Sequence, residues 1–366
     1  MYRVFKGWLD RYLSDPEAIL LIVFLVGGFF ILKIFGDILT PIFVSIAIAI
    51  LLQMWVHILE KRNCPQTYAF WIVYTAFLLI FFGALLFLLP LLWRQCVNLV
   101  TEMPTLVQNG RTAISDFIQS KQDYISEQYV ETIFSSVIAQ TQDWGKRAIT
   151  VSLASIPGII TWVVYLILVP LLVFFFLRDH AQLMAWFKQF LPEKRGLIRK
   201  IWFEMHIQVG NYFRGKLTEI IIVGLFTYVV FLFFDLRYQV LLASLVGLSV
   251  VIPFVGVVIA TIPVVLVGYF QYGFIGGLTG EFALMLYSYA FVQLVDGSIL
   301  VPLLFSNAVN LHPIAIIIAI LVFGSLWGFW GVFFAIPLAT LVKAIINAWP
   351  HHGHTEHHHH RHPHTT

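Results

Sequence analysis

The stretch FALMLYSYAFVQLVDGSILVPLL, from Phe282 to Leu304, decides the class of fold. A helix of about 20 apolar residues crosses a hydrocarbon core about 30 Å thick, and this stretch has that length. Its one acidic residue is Asp296, and a charge at the bilayer centre costs at least ~2.5–3.5 kcal/mol on insertion scales. We therefore interpret the stretch as a membrane span that carries a functional carboxylate. The alternative is that Asp296 caps a broken helix or reaches the interface.

The rest of the 366-residue chain has the same apolar character. Hydrophobic residues make up 60% of it and charged residues only 11%, with a mean hydropathy of +0.87. Soluble domains carry about 25% charged residues, and no water-soluble fold of this length could bury so much apolar surface. We predict an all-α, polytopic integral membrane protein in the lipid bilayer. It should have about eight transmembrane helices, two broken or re-entrant segments and a helical extramembrane insert.

Eight apolar blocks support this prediction, and the sixth and eighth are too long for one simple crossing. Each of these two blocks is either a long tilted span or a re-entrant hairpin. In a hairpin, the irregular backbone at membrane depth needs hydrogen-bond partners from protein or water. The blocks lie at 17–36, 38–59, 68–92, 149–177, 217–235, 238–271, 281–302 and 311–346. The predicted helix breaks lie at Pro253 and Gly256, at Gly297 and Pro302, and at Gly324 and Gly328.

Basic residues cluster on one set of connections between the blocks. They occur before the first block (Arg3, Lys6, Arg11), at Lys61 and Arg62, and eight times within 178–216 against three acidic residues. The positive-inside rule makes that side the cytoplasm, with both termini inside and the chain in a bacterial inner membrane. Six regions follow: membrane helices 1–3 in 1–92, an extracytoplasmic helical insert in 93–148, a fourth span in 149–177, cytoplasmic amphipathic helices in 178–216, a membrane core in 217–350 and a disordered tail in 351–366.

The stretch from Gly210 to Lys216 matches the phosphate-binding pattern G-x-x-x-x-G-K, but its context argues against nucleotide binding. Leu217 stands where the magnesium-binding hydroxyl is needed, and an amphipathic helix precedes the stretch instead of a strand. We interpret Arg214 and Lys216 as markers of the membrane interface and the glycines as points of close helix approach. Metalloprotease and serine-hydrolase signatures are also missing, so we predict no enzyme activity, no cofactor and no nucleic-acid partner.

Polar residues within the apolar core are the candidates for a substrate or ion pathway. They are Asp296, Gln293, Asn310, His312, Arg214 and Glu219. Near the C-terminus, clustered imidazoles predict weak binding of zinc, copper or nickel without a preset geometry, or an incidental tail. These residues are His351, His352, His354, His357, His358, His359 and His360.

Three stretches resemble the autoinducer-2 exporter family, and its PerM-like permease branch in particular. They are GNYFRGK (210–216), IPFVG (252–256) and the long segment from Asp296 to Pro337. The resemblance covers nearly the whole chain and implies a membrane permease that exports a small molecule or ion. It also implies ion coupling and a homo-oligomer, with a pentamer as one arrangement.

We therefore expect an efflux permease in which Asp296 binds a proton or a cation. Asn310 and His312 would line the cytoplasmic mouth, and Arg214 would help to gate it. Broken helices would expose backbone groups near mid-membrane, as discontinuous helices do in other transporters. The alternatives are an ion channel and a non-transporting structural membrane protein.

Overall fold

The computed structural model describes residues 16–102, 105, 156–189, 196–273, 277–305 and 311–348. Throughout these ranges the regular structure is helical. Seven of the described helices are long and apolar enough to cross a membrane, and shorter apolar helices accompany them. Large apolar side chains cover their outer faces, with Phe233 83% and Leu303 72% exposed. Such a surface needs lipid around it, so the chain is a multi-pass membrane protein.

The first helix, α1 (Pro16–Lys61), joins two blocks that the sequence predicted as separate crossings. The expected boundary near Asp37 is not a helix end. Pro41 lies inside α1, where proline removes one backbone donor and leaves the carbonyl four residues earlier without its partner. That carbonyl, of Asp37, accepts a hydrogen bond from the Tyr165 hydroxyl at 2.7 Å, so the helix continues through the proline.

The helical run that follows, α2 (Gln66–Glu102), contains one π-helical turn at Ala84–Leu88. It extends past the predicted boundary of the insert at residue 92. The Gln95 side chain accepts a hydrogen bond from the Leu241 amide at 2.8 Å, and Glu102 lies 3.6 Å from Arg237. The start of the predicted insert is therefore a helix packed against the membrane core, while the rest of the insert lies outside the described residues apart from Thr105.

The next three helices are α3 (Ile156–Arg178), α4 (His180–Gln189) and α5 (Gly196–Phe233). Within α1 and α3, Asp37 contacts Tyr165 and Ser45 contacts Val169, so the two helices run parallel. The α5 helix is 38 residues long and includes both the predicted cytoplasmic amphipathic stretch and the fifth apolar block.

The sixth block forms a helical hairpin, one of the two broken segments that the sequence predicted. It consists of α6 (Gln239–Ser249) and α7 (Val255–Tyr272), and Phe254 at the tip has a φ of 65°. At the other end of α7, the Gln271 amide donates to the Asp235 carbonyl, and its oxygen accepts from the Arg237 amide. Both ends of the hairpin therefore lie at the same end of the bundle, which makes the block re-entrant.

The final block is the second broken segment, built from α10 (Pro313–Phe333) and α11 (Ala335–Ala348). Its helix breaks at Trp327 and Gly328, where Gly328 has a φ of 59° that few other residues adopt. A Cβ on Gly331 would lie 1.8 Å from the Phe323 carbonyl oxygen, so the chain folds back on itself there. The Trp327 ring packs against Gly36 and Phe43 of α1.

The seventh block does not break where the sequence predicted a break. The helix α8 (Glu281–Val295) passes through a π-helical turn at Asp296–Leu300 into α9 (Val301–Phe305). Pro302 lies inside this helix directly after the π turn, where the Val301 amide bonds to the Asp296 carbonyl and the regular α-helical hydrogen-bond ladder is already interrupted. The predicted break at Gly297 and Pro302 is therefore a local widening of a continuous helix, and such widenings often mark functional sites.

Candidate functional site

The site lies where α5 packs against the π turn of the seventh block. Gly215 permits the contact, because a Cβ there would lie 2.9 Å from the Phe305 ring and 3.3 Å from the Leu304 carbonyl oxygen. Further along the same pair of helices, the rings of Phe231 and Tyr289 are 6.0 Å apart. The helices are therefore antiparallel, and the polar residues between these two contacts face a common seam.

A buried ion pair occupies one end of this seam. The Lys216 Nζ lies 2.6 Å from Glu219 Oε2, and both side chains are more than nine-tenths buried. The ammonium also donates to the Val250 carbonyl at 2.8 Å and lies 4.9 Å from the centre of the Phe305 ring. Lys216 therefore ties α5 to the tip of the α6–α7 hairpin. The interpretation of Lys216 as an interface marker did not anticipate that the tertiary fold buries it between helices.

Asp296 lies on the other side of the seam, at the start of the π turn. Its exposure is 6%, and its Oδ1 has no hydrogen-bond partner among the described residues. It is within electrostatic range of Lys216, which forms no ion pair with it, and of the like-charged Glu219. A buried carboxylate oxygen without a partner is costly, so this position calls for a proton, a water molecule or a cation.

Further along the seam, away from the Lys216–Glu219 ion pair, more buried polar atoms lack hydrogen-bond partners among the described residues. The Gln293 side chain lies near the Tyr289 hydroxyl, but the two groups do not form a hydrogen bond of ordinary geometry. Both polar atoms of the Gln293 amide are buried. The Thr227 hydroxyl on α5 is buried and also lacks a partner among the described residues. Tyr289 itself bonds to the Thr261 hydroxyl of α7 at 2.8 Å. Native proteins leave few such groups unsatisfied, so the seam has the composition of a path for water or ions.

The predicted pathway residues fall into separate places. Asp296, Gln293 and Glu219 share the seam. Arg214 is exposed, and it lies two residues before Lys216, about 200° around the helix, so it faces away from the seam. His312 is exposed at the start of α10, where its Nδ1 accepts a hydrogen bond from the Ile314 amide and caps the helix.

Asn310 and the histidine cluster 351–360 lie outside the described residues. Sequence reasoning missed Lys216 as a site residue, and the available signal was its spacing from Glu219. Residues three apart share one face of a helix, so a lysine and a glutamate at that spacing inside a span form a local pair.

The electrostatics of the seam favour a monovalent cation or a proton. One ammonium faces two carboxylates, so the fully ionised cluster has one negative charge in excess, within the apolar region. Carboxylate oxygens and free backbone carbonyls at a broken helix are the groups that transporters use for sodium and protons. The Val250 carbonyl at the hairpin tip belongs to the same cluster, where it accepts a hydrogen bond from Lys216.

Comparison with known proteins finds relatives that are named as transporters or permeases. A family model described as "AI-2E family transporter" matches residues 19–351. The chain is 42% identical to "Putative permease PerM" of Escherichia coli strain K12, over 96% of this chain and 98% of that protein. It is 27% identical to "Putative transport protein YueF" of Bacillus subtilis strain 168, over 79% and 78% of the two chains. A "Putative transport protein" of Thermotoga maritima is 24% identical over 91% and 94%.

Proposed function

The chain belongs to the AI-2E transporter family, and we propose that it exports a small molecule or ion, with transport coupled to a proton or sodium gradient at Asp296. Its family and its relatives' names indicate a permease or transport protein. The substrate, the direction and the coupling ion are the parts that we propose.

One observation carries the proposal of ion coupling. Asp296 is a buried carboxylate whose Oδ1 lacks a partner, in a cluster with fewer cationic than anionic groups. A carboxylate that is permanently paired with another group of the protein would have a structural role. An unpaired oxygen in an apolar region instead favours a group that takes up and releases a proton or sodium ion.

For orientation, we propose that Lys61, Arg62 and the basic stretch 178–216 face the cytoplasm of a bacterial inner membrane, because basic connections remain inside. The C-terminus lies on the same side in this arrangement. The continuous α1 changes the expectation for the other terminus, because a helix that crosses once has its ends on opposite sides. We therefore propose that Pro16 lies outside, in contrast to the predicted cytoplasmic N-terminus.

We also propose a homo-oligomer, which the family resemblance implies. The large apolar surface of the spans accommodates neighbouring subunits as well as lipid. Crosslinking in native membranes followed by mass determination tests this point, and a monomer under those conditions would contradict it.

The proposed coupling is tested by flux in proteoliposomes. Because no substrate is identified, sodium-driven proton movement, reported by an entrapped pH dye, and ²²Na⁺ uptake are measured with and without imposed gradients. We expect Asp296→Asn to fold and to lose gradient-driven flux, because the amide keeps the size but removes the titratable charge. Asp296→Glu should retain part of the flux.

The matched control is Asp235→Asn, in the turn between α5 and α6. Asp235 has a φ of 49°, a conformation that asparagine adopts readily, so the control should fold and transport like the wild type. Flux in Asp296→Asn that equals the wild-type flux would show that Asp296 has only a structural role. Sodium uptake that runs down its own gradient without any exchange for protons would indicate a channel instead.

A further inference from the structure

A second site lies on the opposite face of α5 from the seam. A cavity of about 380 Å³, partly open to the surface, is lined by the C-terminal part of α1, the end of α3, α4 and the residues 207–214 of α5. Its volume lies within the range of roughly 300–1,000 Å³ that small-molecule sites have.

The walls of the cavity are mostly apolar, and the polar side chains among its described lining residues are one arginine, two amides and two histidines. Ile46, Ile50 and Met184 are among the apolar residues, and Arg214, Asn211 and Gln53 are among the polar ones. No aspartate or glutamate is among the described residues that line it. A cavity with hydrogen-bond donors and a guanidinium but without a carboxylate selects for a negatively charged ligand.

Arg214 is the residue that would hold the charge. Its guanidinium forms no ion pair with any residue in the described ranges. Glu60, the acidic group close to the cavity's histidine on α1, is already engaged, with its Oε2 2.8 Å from His57 Nδ1. The Gln53 Oε1 is buried and also lacks a partner among the described residues. This oxygen is an acceptor and takes a donor from the ligand or from water, so the positive charge that selects an anion comes from Arg214.

We propose that this cavity binds an amphipathic anion, with a carboxylate or phosphate group on Arg214 and an apolar body against α1 and α4. The inference rests on the proposed function in one respect, since it names the class of substrate that the permease would carry. A planar guanidinium binds carboxylate and phosphate with two parallel hydrogen bonds, which gives both affinity and orientation. The apolar body accounts for the walls, which a small inorganic anion would leave unfilled.

The site is tested by binding, so that no flux measurement is needed. Octanoate is titrated by calorimetry into the full chain in nanodiscs of zwitterionic phosphatidylcholine, and octanol serves as the uncharged probe of similar length. We expect Arg214→Gln to weaken octanoate binding by ~10-fold or more, the loss expected for a charge-assisted interaction. Octanol binding should be nearly unchanged by the same substitution.

Two further variants separate the site from general effects. Ala49 lines the cavity, so Ala49→Phe should fill it and abolish binding of both probes. Arg237→Gln removes an exposed arginine in the loop before α6, far from the cavity lining, and should bind octanoate like the wild type. Equal octanoate affinity in Arg214→Gln and the wild type, or binding that survives Ala49→Phe, would overturn the proposal.

The source of the anion is distinguished by the lipid. If nanodiscs with phosphatidylglycerol compete with octanoate in an Arg214-dependent way, the bound group is a lipid headgroup. If they do not compete, it is a soluble amphipathic anion. Failure of this inference is separable from failure of the proposed function. Gradient-driven flux without octanoate binding would contradict only the proposed cavity site. Octanoate binding without gradient-driven flux would contradict only the proposed coupling.

Discussion

Replacing Lys216 tests the electrostatic description of the seam most directly. In Lys216→Met, two carboxylates remain buried without their ammonium, and the hydrogen bond to the Val250 carbonyl at the hairpin tip is lost. Removing one partner of a buried ion pair costs about 3–5 kcal/mol, whereas exposed pairs contribute about 0–1 kcal/mol. With side-chain exposures of 9% for Lys216 and 3% for Glu219, the larger range applies.

Glu219→Gln should destabilise the folded protein less than Lys216→Met does. This difference in stability is the result that tests the description of the seam. In Glu219→Gln, the ammonium keeps the Val250 carbonyl and the Phe305 ring, and Asp296 still balances its charge. The expected loss is that of one charge-assisted hydrogen bond, about 1.5–3 kcal/mol. The double variant should be less destabilised than the sum of the two single variants, because the pair is removed together.

The assay is thermal unfolding in detergent, followed by the loss of monomer or oligomer on size-exclusion chromatography, with Asp235→Asn as the control. Equal stability losses in Lys216→Met and Glu219→Gln would refute the description of one ammonium between two carboxylates. Losses near zero in both would show that water reaches the pair and screens it.

The remaining predictions concern orientation, assembly, the tail and the hairpin tip. Single cysteines replacing Arg62 and Arg237 in a cysteine-free background should react with an impermeant maleimide from opposite sides, and reaction from the same side would contradict the topology. Deletion of 105–140 should weaken the oligomer while the membrane core still inserts, and an unchanged oligomer would make the insert a spacer. Removal of 351–366 should leave flux intact and abolish weak, micromolar binding of Zn²⁺ or Ni²⁺, and lost flux only at limiting metal would indicate metal handling. A cysteine replacing Phe254 should change its rate of labelling when sodium replaces choline, and an unchanged rate would separate the hairpin tip from ion binding.

The membrane class and the two reversals were predictable from the sequence because both have local causes. Runs of apolar residues near the thickness of a bilayer need no tertiary information, and the breakers at Pro253 and Gly328 act on their own backbone. The continuous α1 was not predictable in this way. Its exposed Lys33 and Asp37 resembled a connection between spans, and the partner of the Asp37 carbonyl is Tyr165, 128 residues away.

The residues of the candidate site also differ in whether local sequence or tertiary contacts identify them. Asp296 stood out because an acidic residue within an apolar run is conspicuous wherever the run packs. Lys216 did not, because a lysine beside an arginine near the start of a span is the usual pattern of an interface. Its burial depends on α9 approaching at Gly215 and on the hairpin tip arriving from the other side, and both contacts are tertiary.

Under the proposed coupling at Asp296, the position of Lys216 would link ion binding to movement of the hairpin. The Lys216 ammonium donates a hydrogen bond to the Val250 carbonyl and forms an ion pair with Glu219. It also interacts electrostatically with Asp296. Neutralising Asp296 with a proton or sodium ion removes one of the two negative charges that keep Lys216 in place, and therefore weakens its attachment to the tip. A shift between two states needs such a difference in interaction free energy between them. For this reason the sodium-dependent labelling at Phe254 should disappear in Asp296→Asn, where the charge is already absent, and should persist in Asp235→Asn.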